Sequence, residues 1–154
     1  MFHMDKIDKN ILEMLQNNGR MTAGALANEL GISRTAAYER IKKLERRRII
    51  RKVVALIDPA RVGLTCFTFV EVQLERHGRE AVQRFLHAIT SIQEVMECHH
   101  ITGEADFLLK VATKDTGSYE DLLLNQLTAL PDVRNLKTLV VLSTIKQETA
   151  YTIP

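Results

Sequence analysis

Only two cysteines, Cys66 and Cys98, occur in 154 residues, which excludes the disulfide framework of a small secreted domain. Both sit in apolar runs that read as strands, so each is expected to be a small buried hydrophobe in a reducing compartment, the cytoplasm. No apolar run approaches the roughly 20 residues that would span a bilayer, and Met1-Phe2-His3-Met4-Asp5 does not read as a signal peptide, so no membrane partner is expected. Also missing are a nucleophile elbow, a Gly-rich phosphate loop and a zincin pattern. Cys98 and His100 share one face of a strand, but two ligands are too few for a metal and no partner pair stands nearby. The expectation is therefore no catalysis, no metal and no cofactor. A net charge of +2 is too near neutral to name a partner by itself.

What is present is a division of charge. Residues 1–64 carry 13 Lys and Arg against 7 Asp and Glu, a net +6, whereas residues 65–154 carry 8 against 12, a net −4. The stretch 34–52 holds nine cations (Arg34, Arg40, Lys42, Lys43, Arg46, Arg47, Arg48, Arg51, Lys52) against only Glu39 and Glu45. Such density suits a polyphosphate partner, because each cation that neutralises a phosphate releases a condensed counterion; a solvated helix face is the plainer alternative.

Periodicity divides the chain at the same place. The first fifty residues have helical spacing and the remainder alternates strands with helices. The expected division is a helical domain over 1–57, a linker over 58–64 marked by Asp58-Pro59 and Gly63, and an α/β domain over 65–154.

A first helix from Asp5 to Asn17 carries Ile7, Ile11, Met14 and Leu15 as one apolar stripe and stops at Asn17-Asn18-Gly19. Thr22 caps a second, and Gly31 ends it by supplying left-handed backbone. Ser33 caps a third, on which Ala37, Ile41 and Leu44 face inward while Thr35, Glu39, Lys42 and Arg46 face outward. This is a helix-turn-helix. Its third helix would present Ser33, Arg34, Thr35, Tyr38, Glu39 and Lys42 to double-stranded DNA, with Lys43 and Arg46 on phosphates. Arg40 points toward the packed side, which suits an internal salt bridge or a backbone phosphate rather than a base. Residues 49–57 alternate loosely and read as a strand or wing.

The second half reads as strand 65–75, helix 79–89, strand 95–102, strand 107–113, helix 118–130 and strand 133–146, the βαββαβ order of a ferredoxin-like plait in an α+β chain. An internal echo, Ile89-Thr-Ser-Ile-Gln-Glu-Val95 against Leu127-Thr-Ala-Leu-Pro-Asp-Val133, bridges helix to strand in each half. Apolar side chains on both faces, as in Phe67, Phe69 and Val72 and again over 139–142, imply that a second subunit covers the open sheet face.

Asp8-Lys9-Asn10-Ile11-Leu12, Asn18-Gly19-Arg20, Leu26-Ala27, Gly31-Ile32-Ser33, Arg40-Ile41-Lys42-Lys43-Leu44-Glu45, Leu56-Ile57-Asp58-Pro59 and Val62-Gly63-Leu64 resemble the Lrp/AsnC (feast/famine) regulators. So do Val95, Ile101-Thr102-Gly103, Asp106, Leu108-Leu109-Lys110-Val111, Leu130-Pro131 and Val133. The resemblance implies a nucleoid-associated transcription regulator that binds DNA as a homodimer, assembles into tetramers or octamers, and responds to an amino acid or related metabolite.

It also implies an effector site near the turn Thr102-Gly103-Glu104-Ala105-Asp106, where Gly103 and Asp106 match the family's Gly-Asp-Tyr-Asp pattern while Glu104 replaces Asp and Ala105 replaces the aromatic. Glycine N–H groups can meet a carboxylate there while Asp106 or Glu104 meets the ammonium; a plain hairpin with solvated acids is the alternative. Arg48 stands where that family has glycine, which suggests a longer third helix or an added phosphate contact, and Ala36 stands where a proline is frequent. Two other functions compete with the regulator. One is an RNA-binding plait that stacks bases on Phe67, Phe69 and Phe107; the other is an amino-acid sensor or enzyme subunit with a helical appendage.

Overall fold

The capping signals of the first fifty residues are all used. A computed structural model describes residues 4–76 and 78–154. The Asp5 carboxylate accepts the Asp8 N–H at 2.8 Å and opens α1 (Lys6–Asn17). Thr22 caps α2 (Ala23–Leu30), which ends at Gly31 with φ +64°, and Ser33 accepts the Ala36 N–H to open α3 (Arg34–Arg46). Ile11, Leu12, Leu26 and Leu44 form the core of these helices, joined by Ile7, Leu15, Leu30 and Ile41. Truncating a residue as enclosed as Leu44 to alanine in such a core costs about 3 kcal/mol.

The chain divides into two units, residues 4–56 with Ile145–Pro154, and Ile57–Thr144. The last ten residues, expected with the plait, thus fold with the helices. The Gln16 amide nitrogen donates to the Tyr151 carbonyl at 3.0 Å, the Tyr151 N–H donates to Gln16 Oε1 at 2.7 Å, and Ile153 joins the helical core. A groove of about 650 Å³ lies in this unit, between Leu12 and Leu15 of α1, Ile49, Val53 and the returning Tyr151 and Ile153.

The strand or wing expected over 49–57 does not form a strand here. Residues 51–57 are all exposed and join no ladder, because alternation prescribes an extended chain but a strand also needs a neighbour to accept and donate its hydrogen bonds. A turn follows, Ala60–Val62, in which Asp58 accepts the Ala60 N–H and Gly63 takes φ +83°.

The second unit is a four-stranded antiparallel sheet of order β2-β3-β1-β4, built from β1 (Cys66–Leu74), β2 (Val95–His100), β3 (Phe107–Thr113) and β4 (Val133–Val140). Helix α4 (Arg79–Ile89) crosses from β1 to β2, and α5 (Thr116–Leu122) leaves β3 for β4, giving the ferredoxin-like plait. Phe85 and Ile89 of α4 and Tyr119 and Leu122 of α5 share one core with Val70, Val72, Leu109 and Val111, so both helices cover the same sheet face. The echoed segments do link helix to strand: Ile89 ends α4 and Val95 starts β2, while Leu127 ends the second helical run and Val133 starts β4.

The largest departures from expectation are in three elements. The last helix opens at Thr116, on an Asp115 cap, and runs into a π-turn over Leu123–Leu127 rather than continuing as α-helix to 130. Strand β2 stops at His100 rather than 102, where the chain turns toward β3. Strand β4 stops at Val140 rather than 146, because β1 begins at Cys66 and offers no partner beyond the Val141 N–H to Phe67 carbonyl bond at 2.9 Å.

Candidate nucleic-acid interface and ligand turn

The outward face of α3 is built as its periodicity requires. Ala37 and Leu44 are enclosed, whereas Ser33, Arg34, Thr35, Tyr38, Glu39, Lys43 and Arg46 are exposed or partly so and Lys42 is half-buried. Lys42 Nζ lies 2.7 Å from Glu45 Oε2 and 5.7 Å from the centre of the Tyr38 ring. The Glu45 carboxylate raises the Lys42 pKa, so this ammonium stays charged, and Tyr38 and Lys42 stand as one amphipathic pair on the outer surface.

Arg40 is removed from the DNA-facing set. Its Nη1 bonds Asp8 Oδ1 at 2.6 Å and Asp5 Oδ2 at 2.7 Å, and Asp8 is only 2% exposed. The packed-side direction of Arg40 on a 3.6-residue helix explains this: it faces the N-cap Asp5 and the first-turn Asp8 of α1, which it ties to α3. Asp5, which takes its first hydrogen bond from the Asp8 N–H and its next from Arg40, is held below the usual carboxylate pKa.

Arginine at 48 does not lengthen α3, which ends at Arg46. The Ile49 N–H donates to the Leu44 carbonyl at 2.9 Å and the Arg48 N–H to the Glu45 carbonyl at 2.8 Å. That pair of bonds is the Schellman closure, and it places Arg48 in left-handed backbone with φ +55°. A non-glycine residue pays about 1 kcal/mol there. Ile49 packs against the helical core, the apolar burial that accompanies this closure, and so favours the stop with arginine at 48.

In the plait, the turn after β2 is held by its own backbone and by two side chains. The Ile101 N–H donates to the Asp106 carbonyl at 3.0 Å, and the Asp106 N–H to the Val72 carbonyl at 2.9 Å. The Asp106 carboxylate accepts the Leu74 N–H at 2.7 Å, and the Gln73 amide donates to the Glu104 carbonyl at 2.7 Å. Thr102, Gly103 and Glu104 are exposed, with Gly103 at φ +129°, whereas Ala105 is enclosed. Asp106 therefore fastens the turn to the end of β1 through one oxygen of its carboxylate. Gln73 is a second fastening that no local sequence signal marks, and only its place opposite the turn in the folded sheet reveals it.

The open sheet face carries Phe67, Phe69, Leu108 and Leu139 among charged cross-strand pairs, Lys110 with Glu97 at 2.8 Å and Lys137 with Glu71 at 3.1 Å. Phe107 is enclosed on the opposite, helix-covered face, its ring centre 4.8 Å from that of His100. Phe67, Phe69 and Phe107 thus cannot form one stacking platform, and the RNA-binding alternative loses one of its three aromatics. Cys98 is half-buried, and burial pushes its thiol pKa up, away from the thiolate a metal requires. Among the described residues no three metal-binding side chains converge.

A capped helix-turn-helix with an exposed, cation-bearing third helix, followed by a four-stranded plait, defines a DNA-binding protein with a separate small-ligand-binding fold. Residues 4–51 match the model for the winged helix-turn-helix DNA-binding domain, and residues 68–151 match that for the Lrp/AsnC ligand binding domain. The chain belongs to the Lrp/AsnC family of transcriptional regulators. It is 36% identical over 144 residues to the leucine-responsive regulatory protein of Escherichia coli K12, an alignment that covers 94% of this chain and 88% of that one. Among solved structures, a transcriptional regulator of Neisseria meningitidis in complex with L-methionine is 31% identical with a TM-score of 0.91, covering 97% of each chain. An AsnC family regulator from Agrobacterium tumefaciens is 30% identical with a TM-score of 0.90 over the same shares.

Proposed function

We propose that the outward face of α3 reads an operator in the major groove and that an amino acid bound near residues 102–106 changes that affinity. The observation that carries the DNA half is the exposed row Ser33, Arg34, Thr35, Tyr38 and Glu39, with the half-buried Lys42 beside it, on the capped α3. The N-terminal turns of a recognition helix are the part that reaches base edges, with Arg34 suited to guanine and Glu39 to cytosine. Lys43 and Arg46, further along, suit phosphates.

For the effector, Thr102, Gly103 and Glu104 supply exposed polar groups, while Ala105 and Asp106 keep the turn in shape. Methionine is the ligand of the Neisseria relative and offers the first candidate class, α-amino acids with apolar side chains. Phe67, Phe69, Leu108 and Leu139 on the open sheet face are suited to contact with a second copy, and a homodimer that builds tetramers or octamers brings two recognition helices to one operator. The chain acts by binding rather than catalysis, and its place is the cytoplasm, on the nucleoid.

Anisotropy titration of the full chain on a duplex from its own promoter, with and without each amino acid, tests both halves. Arg34→Ala should lower affinity and relax preference for the operator over unrelated DNA. Equal affinity for both duplexes in the unaltered protein overturns the operator reading, and affinity unmoved by every amino acid overturns the effector reading.

A further inference from the structure

We infer that Arg48, Arg51 and Lys52 form a second DNA contact, a sequence-indifferent phosphate clamp that continues the line of Arg46 beyond the end of α3. The inference rests on the reading that α3 faces DNA and adds a surface which that reading does not use.

The first argument is the backbone at Arg48. The Schellman closure fixes its left-handed conformation, glycine would adopt it without strain, and the side chain is exposed. It contributes nothing to the helix stop, which Ile49 and the two backbone bonds already secure. What arginine adds at this position is charge.

The second argument is the company Arg48 keeps. Arg46, Arg51 and Lys52 are exposed, and among the described residues none of these four cations pairs with a carboxylate. No Asp or Glu occurs between Glu45 and Asp58. Within the plait, by comparison, Arg84 meets Asp132 at 2.8 Å, Lys110 meets Glu97 at 2.8 Å and Lys137 meets Glu71 at 3.1 Å. Unneutralised cations gathered at one end of a recognition helix suit a partner of repeated negative charge, and a duplex already lying along α3 presents one. No base-reading geometry is needed, because the clamp would touch phosphates alone.

The test uses the full chain and two duplexes, its own promoter and a scrambled sequence, titrated from about 50 to 300 mM salt. Arg48→Gly should raise the melting temperature by about 2–4 °C, since strain is removed, and yet weaken binding to both duplexes. Each phosphate left without its cation should flatten the slope of log affinity against log salt by about 0.9, so the triple variant Arg48→Gly, Arg51→Ala, Lys52→Ala should flatten it by two to three such steps. The ratio of affinities for promoter and scrambled DNA should stay constant, whereas Arg34→Ala should change it.

Slopes unchanged in the triple variant, with Arg34→Ala still reducing discrimination, overturn the clamp and leave the α3 reading standing; the patch would then serve an acidic protein surface. No binding by the unaltered chain, and no effect of Arg34→Ala, overturns both. A lower melting temperature for Arg48→Gly would show that the side chain serves packing, against the inference.

Discussion

Arg40 Nη1 lies 2.6 Å from Asp8 Oδ1, so a guanidinium from the middle of α3 closes onto a carboxylate in the first turn of α1 that solvent barely reaches. This pair, with Asp5 on its outer side, fastens α3 to the helix it packs against.

Removing the Arg40 guanidinium leaves the Asp8 carboxylate enclosed without its cation, a change that costs several kcal/mol when both partners are fully buried. Arg40 is partly exposed, so Arg40→Ala should cost about 2 kcal/mol in urea unfolding. Its affinities for promoter and scrambled DNA should fall in proportion, because the residue positions α3 without touching a base. A selective drop on the promoter would return Arg40 to the reading face.

Acid should unfold the protein partly through three carboxylates. Asp5 is lowered by the Asp8 N–H and Arg40, Asp115 by the Ser118 N–H and then its hydroxyl, and Glu97 by Lys110 and then His99. With folded values below the unfolded ones, their stabilisation is present above the unfolded carboxylate pKa and disappears as pH falls below about 4. Urea midpoints should therefore be flat near neutrality and drop in that acid window, with a shallower drop in Asp115→Asn. An equal drop in the variant would remove Asp115 from the set.

Thr68 sits at the centre of the sheet with its hydroxyl enclosed and without a hydrogen-bond partner among the described residues. An orphaned buried hydroxyl keeps its desolvation cost, so Thr68→Val should stabilise the plait by about 1 kcal/mol, read as a higher melting temperature. A decrease in stability would mean that the hydroxyl has a partner in solution.

Gly103 takes φ +129°, a conformation closed to L side chains, in open space where a Cβ would meet nothing. Gly103→Ala should thus destabilise through backbone strain alone, by about 1–3 kcal/mol, without any packing clash. If the effector reading holds, this variant should also lose its response to the amino acid while retaining DNA affinity. A fully wild-type response would place the ligand elsewhere.

Local chemistry is legible in this sequence, and long-range pairing is not. Thr22, Gly31 and Ser33 announce the helix-turn-helix because a cap acts within three residues of itself, and the plait follows from the alternation of strand and helix patterns. The inward direction of Arg40 is readable from spacing, but its partners lie 32 and 35 residues away. Alternation over 49–57 looks like a strand because extended backbone and paired strand leave the same pattern. The role of Asp106 is hidden for a similar reason: the Leu74 N–H that occupies its carboxylate becomes a neighbour only after β1 and β3 are in register. Arg48 points toward a longer helix on propensity alone, whereas the helix closes with the Ile49 N–H on the Leu44 carbonyl and Ile49 packed against the helical core.

The return of Tyr151 and Ile153 to α1 has a practical corollary. Because residues 4–56 and Ile145–Pro154 share one module, scission after residue 56 would not liberate a finished DNA-reading piece but one with an unfilled apolar trough. Isolating the DNA-reading module thus calls for joining Leu56 to Ile145 across the excised plait.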